Sequence, residues 1–393
     1  MNISKQTIIA IYILLFYFTP FLQVNAQDLT TLKYTVEDAD DWNNLFLRNS
    51  GWFGGDGIFT LPLGGKETYS SANRKTLFIF SDTMVGQIKD NKLEQGSKMT
   101  HNSAAILDGN LPDPRKLNFF YEPSSEGAES LFIPKTPNTK QGDYYWLGDG
   151  FVNTELSNSI FIFGYRVRTT SQATFGFAEV GNTMIKIANK APLNLNDYTQ
   201  KDTPFFLSEA DGEMGSFGAG IYVNTKAGGA GNPDGYIYIY GTQGKTKKLL
   251  VARVLPKQFE EFSKWNFWDG QQWQSDIKRC AAVTDQVSNE LSLSQLPDGR
   301  FILVFQEAGM GKHVAIRLAK TPVGPFGPII RIWDTSSALE LKTFFSYNAK
   351  AHPSLSKKGE LLISYNVNSF DFFKDIVHHP HLYRPRFIRL KLP

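Results

Sequence analysis

The chain has 393 residues, a formal net charge of +3 and a single cysteine, Cys280. A charge this close to zero, with acidic and basic residues interleaved, lacks the basic surface of a nucleic-acid-binding protein. One cysteine cannot form an internal disulfide, so the fold must be stabilised by packing, to which the 14% of aromatic residues would contribute.

The first predicted element is a signal peptide over residues 1–26. Lys5 supplies the positive charge, residues 8–22 form an apolar run, and residues 24–26 form a small-residue cleavage site. The apolar run is short for a membrane span. We therefore expect residues 27–393 to form a single domain that is periplasmic or secreted and has no membrane contact once the signal is cleaved.

An internal repeat organises the rest of the chain. Apolar runs rich in aromatic and β-branched residues recur at residues 77–80, 160–163, 236–240, 301–305 and 361–365. Glycine-containing turns precede three of these runs, and such turns between strands indicate hairpins. Each run is therefore predicted to be the second strand of a hairpin.

The first strands of these hairpins also align. Their starting residues are Asp56, Asp149, Ala219, Glu290 and His352. Third strands are predicted at residues 248–254, 313–319 and 387–392, and residues 32–36 are predicted to supply the fourth strand of the last unit. Helical periodicity is scarce, with one short helix predicted over residues 256–265.

Short strands at regular spacing predict an all-β fold, a five-bladed β-propeller with four-stranded antiparallel blades. The N-terminal strand would pair the first blade with the last and close the ring, which removes an open sheet edge. A two-sheet sandwich with a second domain is the alternative.

The aligned starting residues are expected to surround one end of the propeller channel, because the innermost strand of each blade lines it. Asp56, Asp149 and Glu290 would bring three carboxyl groups together there. Crowding and burial raise carboxyl pKa values, so that one group can hold a proton while another is ionised. Glycoside hydrolysis requires such a pair. The alternative is that Asp56-Gly57 and Asp149-Gly150 are structural turns.

Six segments carry a family resemblance, in the same order along the chain. They are GWFGGDGIFTLPL (51–63), LFIFSDTMVG (77–86), HNSAAI (101–106), a run from YIYGT to LLVARV (238–254), HVAIRLAKTPVGPFGP (313–328) and AHPSLSKKGELLISYNVNS (351–369). Together they resemble a bacterial domain-of-unknown-function family that includes endo-D-arabinanases. More broadly, the chain resembles the five-bladed propeller glycoside hydrolases.

The resemblance implies an aspartate base on the first blade, a pKa-tuning aspartate on the second and a glutamate acid on a later blade. By position these roles fall on Asp56, Asp149 and Glu290. Glu290 stands on the fourth predicted blade instead of the third, so Glu213, just before the third inner strand, is the rival acid. No cofactor is required, but the resemblance makes His352 a candidate ligand of a central cation such as calcium. A structural histidine is the alternative.

A carbohydrate partner would also need polar and aromatic side chains around the acids. The predicted substrate-binding residues are Trp52, Asp82, His101, Asn102, Trp146, Gln306, His352, Asn366 and Arg384. Structural alternatives are a turn cap for Asp82 and surface ion pairs with Asp371 or Asp375 for Arg384.

The sequence thus predicts an exported, monomeric glycoside hydrolase that acts on a polysaccharide or oligosaccharide, arabinan-like or otherwise furanose-containing. A non-catalytic glycan-binding propeller is the alternative, because a scaffold alone does not imply activity. A phosphorylase is a third possibility and would require phosphate-binding Arg or His residues close to the acids.

Overall fold

The structure, a computed structural model, describes residues 28–125, 127–171, 176–208, 210 and 212–393. The predicted signal peptide lies outside the described residues. Over the described ranges the chain is predominantly β-structure, with two short helices, α1 (Asp40–Leu45) and α2 (Phe372–Asp375). None of the helices in these ranges is long and apolar enough to cross a membrane.

The strands are, in chain order, β1 (Thr35–Asp38), β2 (Ser50–Gly55), β3 (Phe59–Pro62), β4 (Lys75–Phe80), β5 (Thr83–Lys89), β6 (Lys92–Leu93), β7 (Lys98–Thr100), β8 (Ser103–Asp108), β9 (Leu117–Phe120), β10 (Glu122–Ser124), β11 (Gly127–Glu129), β12 (Tyr144–Asn153), β13 (Ser159–Thr169), β14 (Phe177–Ile187), β15 (Tyr198–Asp202), β16 (Phe206–Leu207), β17 (Gly215–Asn224), β18 (Tyr236–Gln243), β19 (Lys248–Val254), β20 (Asn266–Trp268), β21 (Trp273–Gln274), β22 (Leu291–Gln295), β23 (Phe301–Gln306), β24 (His313–Ala319), β25 (Ile330–Asp334), β26 (Phe344–Ala351), β27 (Glu360–Ser369) and β28 (Arg386–Lys391).

Within the described ranges, five sheets follow one another along the chain. They are sheet I (β3-β4-β8-β9), sheet II (β12-β13-β14-β15), sheet III (β16-β17-β18-β19-β20-β21), sheet IV (β22-β23-β24-β25) and sheet V (β26-β27-β28-β1). Neighbouring strands in each sheet are antiparallel. In a further small sheet, β5 pairs with β2, β6 and β7. Strand β10 pairs with β11. The five predicted second strands all lie in the expected hairpins, as β4, β13, β18, β23 and β27.

The ends of the chain meet in sheet V. β1 pairs antiparallel with β28, with Thr35 opposite Lys391. The predicted strand over residues 32–36 therefore exists, although it begins three residues later. The helix predicted over residues 256–265 is wrong, because this stretch contains two separate 3₁₀ turns, Pro256–Gln258 and Phe262–Lys264.

The core is divided between successive sheets. In β13, Ile160 and Ile162 pack toward sheet I while Phe161 and Phe163 pack toward sheet III, as the two-residue period of a strand requires. Equivalent apolar clusters lie between sheets III and IV, IV and V, and V and I. Because both faces of the second strands are covered, they are uniformly apolar runs.

The innermost strands contact one another in order, β3 with β12, β12 with β17, β17 with β22, and β22 with β26. The turn Pro353–Leu355, which follows β26, contacts β3. These strands therefore bring their side chains toward a common central region.

The predicted first strand of the last repeat is misplaced. The chain from His352 onward is a 3₁₀ turn, and the innermost strand of sheet V is β26, which ends before it. Strands β12, β17 and β26 each contain a pairing irregularity, and the pairing resumes at Gly150, Gly220 and Lys350 respectively. The sheet V residue at the level of Asp149 is therefore Ala349, next to Lys350, and His352 lies further along.

Candidate functional site

Asp56 lies in the tight connection between β2 and β3. Its backbone N–H donates to the Asp82 carbonyl at 3.1 Å, and its carbonyl accepts from the Ser81 N–H at 2.8 Å. The next residue, Gly57, has φ of 61°, and a Cβ there would lie 2.6 Å from the Ser81 Oγ. Glycine is thus required at position 57, and the two backbone hydrogen bonds fix the main chain from which the Asp56 side chain projects.

The carboxyl group of Asp56 is unusually difficult to ionise. Burial and then the neighbouring Asp82 carboxylate raise the pKa of Asp56 to about 8, although a hydrogen bond from Tyr347 opposes this. The Tyr347 hydroxyl donates to Oδ2 at 2.6 Å. The Tyr383 hydroxyl is a second hydrogen-bond partner of this carboxyl group, and Oδ1 is closed to solvent. Asp56 therefore holds a proton near neutral pH.

Asp82 follows β4 and is held by two rings. Its Oδ1 accepts a hydrogen bond from Trp146 Nε1 at 3.0 Å and lies 3.0 Å from His101 Nδ1. The His101 ring stacks on Tyr144, with 3.6 Å between centroids and 14° between planes. The side chains of Asp82 and His101 are 19% and 41% exposed. We refer to Asp56, Asp82, His101 and Trp146 as the Asp56–Asp82 group.

A second set of charges lies deeper. The Glu290 carboxylate forms an ion pair with Lys350 Nζ, and its Oε1 accepts from Asn348 Nδ2 at 2.8 Å. The side chains of Lys350 and Glu290 are 1% and 9% exposed, and the ammonium group lies 4.5 Å from the Phe59 ring centroid. Burial raises the pKa of Glu290, while Lys350 acts in the opposite direction.

Asp149 belongs to this deeper set. Its two carboxyl oxygens accept from the backbone N–H groups of Gly150, at 2.8 Å, and Ile221, at 2.7 Å. Burial raises the pKa of Asp149 to about 7, and these two hydrogen bonds and the Lys350 charge limit the rise. Asp149 thus joins sheet II to sheet III. We refer to Asp149, Glu290, Asn348 and Lys350 as the Lys350 network.

Several residues of this region were not predicted from the sequence. Burial, together with Glu179, Glu290 and Asp149, raises the pKa of Tyr165 well above its ordinary value. Burial raises the pKa of Glu179 to about 8. Tyr347, Asn348 and Lys350 were missed as well. A correct alignment of the last repeat would have revealed these three, since they occupy its innermost strand.

Glu213 and His352 belong to neither the Asp56–Asp82 group nor the Lys350 network. Glu213 is half-exposed and forms a surface ion pair with Lys248 at 2.5 Å. The ring nitrogens of His352 lie 3.0 Å from the Thr60 hydroxyl and 2.8 Å from the Ser364 hydroxyl. Burial and then the Lys350 charge lower the pKa of His352 to about 3, so the ring is neutral and its nitrogens are both occupied.

The predicted cation site has no support in the donor groups. In the ranges that the structure describes, no three His, Cys, Asp or Glu side chains are grouped so that they could hold a metal ion. The two hydroxyl partners of His352 fit a structural histidine, which was the alternative to a cation ligand.

Two of the predicted substrate contacts are buried structural residues. Trp52 is 1% exposed, stacks on Phe119 at 4.5 Å and donates from Nε1 to Ser103 Oγ at 3.2 Å. It therefore has no free ring face for a sugar. Asn102 is fully buried and donates to the Phe132 and Tyr145 carbonyls, so it fixes the chain around β8.

Gln306 and Asn366 are also fully buried. The Gln306 side chain donates to Ser346 Oγ at 3.0 Å. Asn366 donates to the Gly55 carbonyl at 3.2 Å, which fixes the backbone just before Asp56. Asn366 thus supports the site without facing a substrate.

Arg384 is partly buried and donates to the Pro385 carbonyl at 3.3 Å. Burial lowers its pKa. The suggested partner Asp375 is instead bonded to Ser369 and Thr343. Arg384 therefore takes neither the predicted surface pairing with Asp375 nor a position in the Asp56–Asp82 group.

The arrangement is suited to acid–base chemistry. A carboxyl group that holds its proton near neutrality lies beside a partly exposed carboxylate, and environments that separate two carboxyl groups in this way define an acid and a base. Trp146 and Tyr144 add aromatic surface next to this pair.

Comparisons with known proteins identify a family and a shared fold. The family model described as "Domain of unknown function (DUF5005)" matches residues 39–392. No curated protein matches the chain. A crystal structure of a presumed hydrolase from Bacteroides ovatus is similar, with a TM-score of 0.70 and 20% identity over 93% of this chain and 92% of that one.

Weaker similarities extend to two fungal enzymes. An α-L-arabinofuranosidase from Podospora anserina has a TM-score of 0.47 and 10% identity, over 93% of this chain and 99% of that one. An exo-β-1,3-galactanase from Phanerochaete chrysosporium has a TM-score of 0.42 and 8% identity, over 87% and 62% of the two chains.

Proposed function

This chain belongs to the DUF5005 family, and we propose that it is a glycoside hydrolase whose reacting groups are Asp56 and Asp82. The observation that carries the proposal is the position of the Asp56 carboxyl group, which is bonded to Tyr347 and lies beside the carboxylate of Asp82. These surroundings raise the pKa of Asp56 to about 8. Glycoside hydrolysis requires one carboxyl group that donates a proton and one that acts as base or nucleophile.

The proposed scaffold is a five-bladed β-propeller in which sheets I to V are the blades and β1 closes the ring. Successive contacts between the innermost strands and the pairing of β1 with β28 support it. In such a scaffold, residues before the innermost strands gather at one end of the channel. Asp56 precedes β3, and Trp146 stands near the start of β12.

In the proposed reaction Asp56 is the acid. Its proton moves to the glycosidic oxygen as the bond from that oxygen to the anomeric carbon breaks. In one route a water oxygen bonds to the anomeric carbon and loses a proton to the Asp82 carboxylate. In the other, Asp82 attacks the anomeric carbon, and water, which gives a proton to the ionised Asp56, then breaks the bond between Asp82 and the sugar. The separation of the two carboxyl groups in the substrate complex decides between inversion and retention.

This assignment differs from the roles that the sequence resemblance implies. Asp56 is the acid here and not the base, because burial favours its protonated form. Glu290 is a less suitable acid, because its carboxyl group is enclosed in a contact with Lys350 and accepts a hydrogen bond from Asn348. We propose that Asp149 and Glu290 act through the electrostatic field and backbone geometry of the central region, without contacting the reacting bond.

For the substrate we propose a polysaccharide or oligosaccharide that contains furanose sugars. The partly exposed Trp146 ring, the stacked His101 and Tyr144 rings and the adjacent carboxylate offer both ring faces and hydroxyl acceptors. We further propose that residues 1–26 direct export and that the protein acts as a monomer in the periplasm or outside the cell.

The test is a panel of arabinans, galactans and xylans, with reducing ends and oligosaccharide products measured for the wild type and Asp82→Asn. We expect release from at least one furanose-containing glycan and a loss of at least about a hundredfold in the variant. Glu213→Gln is the matched control, because it removes a carboxylate from the surface.

Three outcomes would contradict the proposal. Tight glycan binding without any product after long incubation would identify a glycan-binding protein. Turnover that depends on inorganic phosphate would indicate a phosphorylase. Full activity in Asp82→Asn would exclude the proposed pair.

A further inference from the structure

A cavity of about 480 Å³ lies at the opposite end of the innermost strands from Asp56. It is lined by the C-terminal halves of β17, β22 and β26 and by the turns that follow them, including residues 228–232. The loop after β3 closes one side, where the Glu67 N–H donates to the Gly228 carbonyl at 2.9 Å. Asp149 and Lys350 form its inner boundary.

The cavity has the size and composition of a small-molecule site. Its volume is many times the roughly 30 Å³ that one liquid water molecule occupies, and lies within the range of about 300–1,000 Å³ that is typical of ligand pockets. Apolar walls are supplied by Phe59, Ile221, Leu291 and Leu293, with Tyr222 beside them.

Three polar side chains of the lining are incompletely bonded. Within the described part of the chain, three side chains of the lining, Glu67, Ser294 and Gln295, each have a buried oxygen that makes no hydrogen bond inside the protein. A buried oxygen without a partner costs about 1–3 kcal/mol. A ligand with several hydroxyl groups that reached these three side chains would supply the missing hydrogen-bond donors.

The cavity lining has no dominant sign of charge. The Lys350 ammonium group and the Asp149 carboxyl group both border it, and Asp149 already accepts hydrogen bonds from two backbone N–H groups. Burial and then Asp149 raise the pKa of Glu67 to about 8, so this side chain is protonated near neutrality and can both donate and accept. A neutral molecule with several hydroxyl groups satisfies every one of these conditions.

We propose that this cavity is a second carbohydrate site, which binds a neutral monosaccharide or the end of a glycan chain. Hydroxyl groups of the sugar bond to Glu67, Ser294 and Gln295, and its C–H faces pack on the apolar walls. The site is distinct from the Asp56–Asp82 group, and its existence does not depend on the hydrolase proposal.

The experiment uses L-arabinose, D-xylose and D-galactose as probes, with binding measured by calorimetry and saturation-transfer NMR. Crystals soaked in the best ligand locate it. We expect saturable binding of at least one sugar and density for a sugar ring next to Gln295. Gln295→Leu should weaken this binding about tenfold, the equivalent of one hydrogen bond.

An occlusion variant makes the test independent of buried substitutions. Gly231 is an exposed rim residue of the cavity whose added Cβ would lie 3.1 Å from Gln295 Oε1, so Gly231→Phe should block the cavity and abolish binding. Lys226→Leu, on the same loop but outside the lining, is the matched control and should bind as the wild type does.

The proposal is overturned by an absence of saturable sugar binding, by binding that survives Gly231→Phe, or by density that shows only water or a cation. Hydrolysis by the same variants is measured separately. Because the reacting groups lie at the other end of the strands, loss of the second site with activity intact, or the reverse, separates the two proposals.

Discussion

The Asp56–Asp82 group and the Lys350 network contain the same kinds of acidic residue in opposite surroundings. The Asp56 carboxyl group, whose Oδ1 is closed to solvent, lies beside a second carboxylate, and its neighbours Asp82 and His101 are partly exposed. Glu290 is buried beside a cation, with Lys350 only 1% exposed. Burial raises the pKa in both groups, but only the second contains a charge that compensates it.

The two sets of residues differ in what their acidic groups can do. An ion pair closed to solvent is satisfied internally, and breaking it leaves a buried charge. A protonated carboxyl beside a partly exposed carboxylate can instead exchange a proton with a bound molecule. We therefore expect substitutions in the first group to affect activity and substitutions in the second to affect stability.

The largest effect is expected for Asp56→Asn, which keeps the shape but removes the transferable proton. Activity should fall about 10³- to 10⁴-fold, at the upper end of what acid–base catalysis contributes. Steady-state hydrolysis measures this, and a loss below tenfold would contradict the assigned role.

The same variant should not be destabilised. The folded-state pKa of Asp56, about 8, lies above its ordinary 3.8, so protonation favours the folded state. This contribution is complete below about pH 4 and is lost as the pH rises to about 8. Denaturant unfolding should thus show Asp56→Asn gaining stability relative to the wild type across this interval.

Lys350→Met should destabilise the fold, whereas Asp56→Asn should stabilise it. Removal of the cation leaves Glu290 buried and unpaired, at a cost of about 3–5 kcal/mol in the free energy of unfolding. The double variant Glu290→Gln/Lys350→Met should recover most of this loss, because it removes both charges. A cost below about 1 kcal/mol for the single variant would show that the pair is not sealed from solvent.

Trp146→Phe tests the support of Asp82 with a smaller change. It removes the Nε1 donor at 3.0 Å from Asp82 and keeps an aromatic ring. We expect kcat/KM to fall about tenfold, which corresponds to one hydrogen bond to a charged group, with unfolding nearly unchanged. An equal loss of stability and activity would make Trp146 a packing residue only.

The smallest effect is expected for Glu213→Gln. Its partner Lys248 is at the surface, and exposed pairs contribute about 0–1 kcal/mol. Activity should remain within about twofold of the wild type. A large loss would restore Glu213 as the acid and remove the distinction between the two groups.

Much of the fold is predictable from the sequence, because both faces of the second strands are buried and read as apolar runs. The predicted position of the first strand in the last repeat was wrong for a physical reason. Ser354 and Leu355 are buried in a 3₁₀ turn and imitate the start of an inner strand. The true strand β26 contains the charged Lys350, a residue type that is rarely buried.

The site was partly predictable for a similar reason. Asp56, Asp82, His101 and Trp146 stand at strand starts or ends, where exposed polar residues are informative. The contacts among these residues could not be predicted from the sequence, because Asp82 and Trp146 come from different sheets. Trp52 was wrongly predicted to contact substrate. An aromatic residue next to a catalytic motif can line a sugar cleft or pack in the core, and Trp52 packs in the core.

The pH dependence of kcat/KM tests most directly whether Asp56 is the proton donor, since it reports on ionisations of the free enzyme. We predict that kcat/KM falls as the pH rises through about 8, where Asp56 loses its proton, and that this descending limb disappears from the residual activity of Asp56→Asn. A rate that keeps rising through pH 8 would show that Asp56 acts in its ionised form, and would contradict its role as the proton donor.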